Sequence, residues 1–190
     1  MSKTFKRSKF SLLAVILLVG VSLFYTSDIT QTETPELFSN EKKPFAFANN
    51  TYLREFGESG ELELEVKADK SLYFKDDALI TTESPTIWYT NEQGDKLRLN
   101  AESGQFNADT GNLYLEDRVK LSRTSSEGQI TTILTQDLNI DTRNDFISTD
   151  REVSITQDKS TLKSIGLEAS LNDRKIELSQ RVRGIYDLAN

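Results

Sequence analysis

One two-strand pattern recurs four times along this chain, and a repeat built of strands limits the fold to a stacked β architecture with a shared interior. In each copy a small residue ends an alternating stretch and an acidic turn follows. A second alternating stretch then returns and closes on an apolar or β-branched pair. The clearest copy runs Leu97-Arg98-Leu99-Asn100-Ala101, turns through Asp109-Thr110-Gly111-Asn112, and returns as Leu113-Tyr114-Leu115 to Val119-Lys120-Leu121. The next runs Ile133-Leu134-Thr135, turns between Asp141 and Asp145, and returns as Phe146-Ile147 to Val153-Ser154-Ile155. An earlier copy has Leu64 to Ala68, the turn Lys75-Asp76-Asp77, and Thr86-Ile87-Trp88; a later one has Gly166, the turn Asn172-Asp173-Arg174, Ile176-Glu177-Leu178 and Val182. From small residue to closing residue the copies count 18, 18, 18 and 16 positions, and they start 33, 34 and 31 residues apart.

Alternation dominates from Thr51 onward. Leu62-Glu63-Leu64-Glu65-Val66, Leu97-Arg98-Leu99 and Leu113-Tyr114-Leu115 each place apolar groups on one face and polar groups on the other. Charged and turn residues cluster every 8–12 residues, the spacing of hairpins in an all-β fold. The expectation is an antiparallel sandwich or jelly roll of 13 to 16 strands. Each unit adds one apolar stripe, as in Leu99, Phe106, Leu115, Val119 and Leu121, and stacked units align the stripes. Such a stripe is either plain core or the lining of a trough between splayed sheets. An apolar content of 36% is modest for so many strands and leans toward an interior not filled by side chains alone. A stacked array also leaves unpaired strand edges at its two ends.

The first residues form a separate segment. Lys3, Lys6, Arg7 and Lys9 (residues 1–9) precede an apolar run over 10–25, Phe10 to Tyr25, with no acidic residue before Asp28. Sixteen helical residues span about 24 Å, slightly short of a ~30 Å hydrocarbon core. The basic flank keeps that end cytoplasmic and sends the rest across the membrane. A cleaved signal peptide is the competing reading, with Gly20-Val21-Ser22 as its cleavage site; Leu23, Phe24 and Tyr25 directly after it favour a retained anchor. Residues 26–50 lack a clear period and read as a tether carrying Pro35 and Pro44, leaving 51–190 as the β domain.

Composition removes several kinds of chemistry. The chain has no histidine and no cysteine, which excludes Ser-His-Asp and Cys-His catalysis, zinc sites, haem ligation, disulfides and a lipoprotein anchor. Without the four leader cations, 19 basic residues face 30 acidic ones, a poor match for nucleic acid. Asp76-Asp77, Asp109, Asp141 with Asp145, and Asp173 are compatible with calcium or a glycosidase pair, but all fall where the repeat needs a tight turn, and Asx turn chemistry accounts for them. Trp88-Tyr89 with Tyr73 reads as strand packing ahead of a sugar platform. Gly166 stands inside a strand where other copies carry Ala or Thr, and marks a bulge, a close backbone approach or an interface. No metal, cofactor or enzymatic activity is expected.

The ensemble resembles the LptC family, a component of lipopolysaccharide export in Gram-negative bacteria. The resemblance rests on length, the single N-terminal span and the repeated signature: Leu113-Tyr114-Leu115 with Val119-Lys120-Leu121, Ile165-Gly166-Leu167, Ile176-Glu177-Leu178, and Val182-Arg183-Gly184-Ile185-Tyr186. The turn around Asn172 is tighter than in some members. The resemblance implies an all-β, antiparallel β-jelly roll with an open groove between two sheets, preceded by a single transmembrane helix. It implies an inner-membrane protein with a periplasmic domain that takes lipopolysaccharide from the LptBFG transporter, contacting LptF and the LptF/LptG membrane helices. It then passes the lipid to LptA by edge-to-edge β pairing. Groove lining falls on Leu99, Phe106, Leu115, Val119, Leu121, Ile147, Val153 and Leu178. The transporter-facing edge falls near Leu62, Leu64 and Val66. The LptA-facing edge falls on Gly166, Ile176, Val182 and Tyr186. The alternative is a β-sandwich adaptor with a closed core and no lipid ligand.

Overall fold

The computed structural model describes residues 43–91, 94–170 and 175–185. The 10–25 span, the tether up to residue 42, the Asn172 turn and Tyr186 lie outside the described residues. Eleven strands follow: β1 (Ala46–Phe56), β2 (Leu62–Phe74), β3 (Leu79–Glu83), β4 (Thr86–Thr90), β5 (Lys96–Asn100), β6 (Ser103–Asn107), β7 (Asn112–Thr124), β8 (Ile130–Asp141), β9 (Phe146–Gln157), β10 (Ser160–Ser170) and β11 (Lys175–Ile185). All pair antiparallel in one continuous sheet.

The order of pairing simplifies this list. β4 and β3 pair with the two halves of β2, while β5 and β6 pair with the two halves of β7. β4 also pairs with β5, and β3 with β6. Each pair is therefore one long strand broken in the middle, at Ser84-Pro85 or at Ala101-Glu102. Counted this way, nine bent strands follow one another in chain order, each hydrogen-bonded to the next. The sheet is a simple meander folded along its midline into two facing layers.

The fold line is drawn by backbone conformation. Asn50 (φ 54°), Ser84 (φ 51°), Asp117 (φ 61°), Arg118 (φ 53°), Gly166 (φ 81°) and Arg181 (φ 50°) all fall at mid-strand, beside one another across the sheet. Left-handed residues in a ladder make bulges, which bend the strand and sharpen its twist. Register shifts sit on the same line, at Glu116/Val119, Leu134/Asn139 and Ile165/Leu167. Residues before and after each bend thus belong to different layers, and alternation carries the apolar groups of both layers inward.

Two tiers of turns close the strand ends. In one tier Gly60, Gly94 and Gly128, spaced 34 residues apart, all have positive φ and repeat one hydrogen-bond pattern. Their amides donate to the carbonyls of Gly57, Asn91 and Ser125 at 3.0, 3.0 and 2.9 Å. Glycine meets that conformation without steric cost. In the other tier Asp141 accepts from the Arg143 and Asn144 amides at 2.9 and 3.0 Å, the Asx turn expected of it.

Two expectations change. Among the described residues eleven strands replace 13 to 16, because charged clusters such as Glu116-Asp117-Arg118 mark bends rather than reversals, and β2 and β7 run on for 13 residues each. The first strand begins at Ala46, inside the segment read as tether. β1 is an edge strand exposed over Phe47 to Asn50, so burial imposes no period on its sequence there.

Asp95 ties the turns of Gly94 and Gly128 together. It is 4% exposed and accepts from Arg123 Nη2 at 2.7 Å and the Ser126 amide at 3.1 Å. The Arg123 hydrogen bond, which outweighs desolvation, holds its carboxyl below the usual range. A depressed carboxylate adds stability above its unfolded pKa of ~3.9 and loses it as pH falls through the folded value. Asp95→Asn is expected to cost about 1–2 kcal/mol at pH 7, the lower part of the range because Arg123 is half exposed. Urea midpoints should show the gap to wild type shrinking below pH 4; a gap independent of pH contradicts this role.

Candidate functional site

The space between the layers is lined by uninterrupted apolar rows. In the first layer, cross-strand pairing aligns Leu53, Val66, Ile87, Leu99, Leu121, Ile133, Ile155 and Leu162 over eight consecutive bent strands. At ~4.8 Å per strand this stripe is roughly 34 Å long. The facing layer aligns Ile80, Phe106, Leu113, Ile140, Ile147, Ala169 and Ile176. A shorter row, Leu115 to Leu138 and Leu167 to Leu178, lies nearer the fold line.

All eight residues expected to line a groove face this space. Leu99, Leu121 and Ile147 are 5–7% exposed, and Leu115, Val119 and Val153 are 1–2% exposed. Phe106 and Leu178 are half-buried. All of them except Phe106 join Leu138 and Leu167 in one packed cluster, so side chains fill the middle of the inter-layer space. Burial falls toward the ends: Leu53, Val66 and Leu162 are half-buried, and Ile176 is 51% exposed.

The edge expectations sort differently. β1 and β11 are the edges of the described sheet. Leu62, Leu64 and Val66 lie on β2, one strand inside, and Leu64 is buried against the core. The backbone exposed at that end is β1's, with Phe47, Tyr52 and Phe56 standing out from it. Ile176 and Val182 do sit on the edge strand β11, beside exposed Ile185. Gly166 is one strand inside, on β10, at the bulge its sequence position suggested.

Trp88, Tyr89 and Tyr73 do not form one platform. Tyr89 packs toward the core, Tyr73 stacks edge-on to Phe45, and Trp88 faces outward. Asp109 and Asp141 occupy neighbouring turns joined by Arg143, whose guanidinium donates to the Asp109 carbonyl. Among the described residues no three acidic groups converge in a metal-binding arrangement, and no helix is long and apolar enough to cross a membrane.

The folded antiparallel meander has a counterpart among solved structures. It is shared with the crystal structure of LptH from Pseudomonas aeruginosa, described as the LptA-homologous periplasmic component of a lipopolysaccharide transport device. The superposition has a TM-score of 0.56 at 7% identity and covers 66% of this chain and 95% of that one, a likeness of fold. No curated protein sequence matches the chain. The family model for lipopolysaccharide-assembly, LptC-related proteins matches residues 12–187, and the chain belongs to that family.

Proposed function

We propose that this chain is a lipid conduit: it receives lipopolysaccharide from the LptBFG transporter and hands it to LptA. In this reading residues 10–25 anchor it in the inner membrane and the β domain stands in the periplasm. The observation that carries the proposal is the apolar row running across eight bent strands, from one edge of the sheet almost to the other, in a member of a lipopolysaccharide-assembly family. Two sheet edges bearing exposed apolar side chains, β1 and β11, suit partners that add a strand at each end.

Burying an acyl chain is worth about 0.8 kcal/mol per methylene, so a chain of about twelve carbons gains on the order of 10 kcal/mol. A gain that large favours a graded path over a deep trap. It leaves the driving energy to the transporter, with this chain acting as a passive link and not as an enzyme. Because side chains fill the middle of the seam, acyl chains enter only when the layers part about the bulged fold line.

A photo-crosslinker at Leu115 is expected to capture lipopolysaccharide in cells, while one at Lys163, exposed on the outer face of β10, captures none. The reverse pattern overturns the conduit. An adaptor with a closed core is the second reading, favoured by the near-complete burial of Leu115, Leu138 and Leu167. It requires that the protein bind no lipopolysaccharide at either position.

A further inference from the structure

The outer face of the first layer holds a second candidate site. Strands β4, β5, β7 and β8 form the base of a half-open cleft of about 670 Å³ on the side turned away from the apolar seam. Its floor is made of short hydroxyl side chains, Ser122, Thr124 and Thr132, and its walls of long ones. Register explains the arrangement. Trp88 lies opposite Arg98, Arg98 opposite Ser122, and Ser122 opposite Thr132. In the flanking rows Lys96 lies opposite Thr124, and Asn100 opposite Lys120.

The charge of this cleft runs against that of the chain. The protein carries a net charge of −7, yet the cleft gathers Lys96, Arg98 and Lys120 and is lined by no carboxylate. The cations nearby that do find acidic partners, Arg54 and Lys67, share Glu65 at 3.1 Å each, one strand outside the cleft. Arg98 instead lies over the Trp88 ring, 5.4 Å from its centroid, with Lys67 5.0 Å from the same ring. An indole face holds a cation in place without neutralising it. The result is a preorganised set of positive charges above a floor of hydroxyls.

We propose that this cleft binds an anionic glycan, an oligosaccharide bearing phosphate or carboxylate groups. The three cations meet the anionic substituents, and the Ser, Thr and Asn side chains exchange hydrogen bonds with sugar hydroxyls. A concave, hydroxyl-floored cleft fits a discrete saccharide better than the plane of a bilayer or an extended acidic peptide. The assignment of this glycan to the sugar portion of lipopolysaccharide rests on the transfer reading above. On that reading the protein holds its cargo at two places: acyl chains between the layers and charged sugars on the outside of the first layer.

Trp88 is the only tryptophan in the chain, so its emission reports on this cleft alone. The test titrates the full chain in detergent with fully deacylated, phosphorylated lipopolysaccharide oligosaccharide. A saturable, salt-sensitive change in Trp88 emission is expected. Arg98→Gln with Lys120→Gln should weaken it by at least about tenfold, the loss of charge-assisted hydrogen bonds, with an unchanged far-ultraviolet circular dichroism spectrum. Enzymatically dephosphorylated oligosaccharide should bind correspondingly more weakly. No saturable response, or one insensitive to the double substitution, overturns the site. Equal binding of inorganic phosphate shows an anion site with no sugar recognition, and tighter binding of polyglutamate or of anionic vesicles reassigns the face to a protein or membrane; each also overturns the proposal. The conduit is tested separately: crosslinking from Leu115 lost while the Trp88 response persists rejects the inter-layer path and keeps the cleft as a glycan site.

Discussion

Gly166→Arg is expected to release β11 from the sheet and to lower stability by about 2–5 kcal/mol, the sum of a left-handed backbone cost and a steric one. Gly166 has φ 81°, and a Cβ built on it falls 2.8 Å from Ser179 Oγ and 2.9 Å from Ser179 Cβ on β11. The hydroxyl can rotate away, but the contact with Ser179 Cβ is relieved only by moving the edge strand. The two contributions separate experimentally. Gly166→Ala carries the backbone cost and the Cβ clash, and adding Ser179→Gly should restore only the steric share. Urea unfolding measures the totals, and hydrogen exchange at β11 amides shows where the loss falls. On the conduit reading, in which β11 is the edge that meets LptA and β1 the edge that meets the transporter, Gly166→Arg should abolish copurification with LptA in cells while leaving the transporter association intact. A wild-type midpoint with protected β11 amides would falsify the role given to this bulge.

The same residue shows what was legible in the chain beforehand. A glycine inside an alternating stretch announces a bulge, and Gly166 is one. The other bends are written in Asn50, Ser84, Asp117, Arg118 and Arg181, which share no chemistry beyond polarity. Their left-handed conformations are imposed by neighbouring strands that must turn together, a tertiary demand with no local signature. Hence the alternation and the 31- to 34-residue repeat reveal the stacked β architecture, but the midline fold, and with it the strand count, does not appear in the periodicity. The 34-residue spacing of Gly60, Gly94 and Gly128 was present as a signal for one tier of turns, although acidic turns drew the repeat instead. For the seam, inward positions follow directly from period two, so Leu99, Leu115 and Leu121 could be assigned to one space. Which edge is free could not, because the exposed first half of β1, Phe47 to Asn50, carries no pattern, and β1 pairs on the outer side of β2, which bears Leu62, Leu64 and Val66. The outer cleft was hidden for a related reason. Lys96, Arg98 and Lys120 read as an ordinary solvated face until β5 and β7 are known to be neighbours.

Leu115→Ala is expected to cost about 2–5 kcal/mol, as for any large side chain removed from a filled core; Leu115 is 1% exposed and sits between Gly104 and Leu138 across the sheet. The informative quantity is what lipid does to that loss. If the seam is only a core, the cavity stays empty and added lipopolysaccharide leaves the variant's unfolding midpoint where it was. If the seam admits acyl chains, the vacated volume is a place where a chain packs without displacing a side chain. Ligand that binds the folded state alone then stabilises it by about 2.7 kcal/mol at a hundredfold excess over Kd. On the conduit reading, lipopolysaccharide should raise the midpoint of Leu115→Ala more than that of the wild type, while deacylated oligosaccharide, which lacks the chains, should raise both equally. Thermal unfolding with and without each ligand decides the matter. Equal lipid-induced shifts in the two proteins would mean that acyl chains do not pass Leu115, and that whatever lipid the domain carries lies elsewhere on its surface.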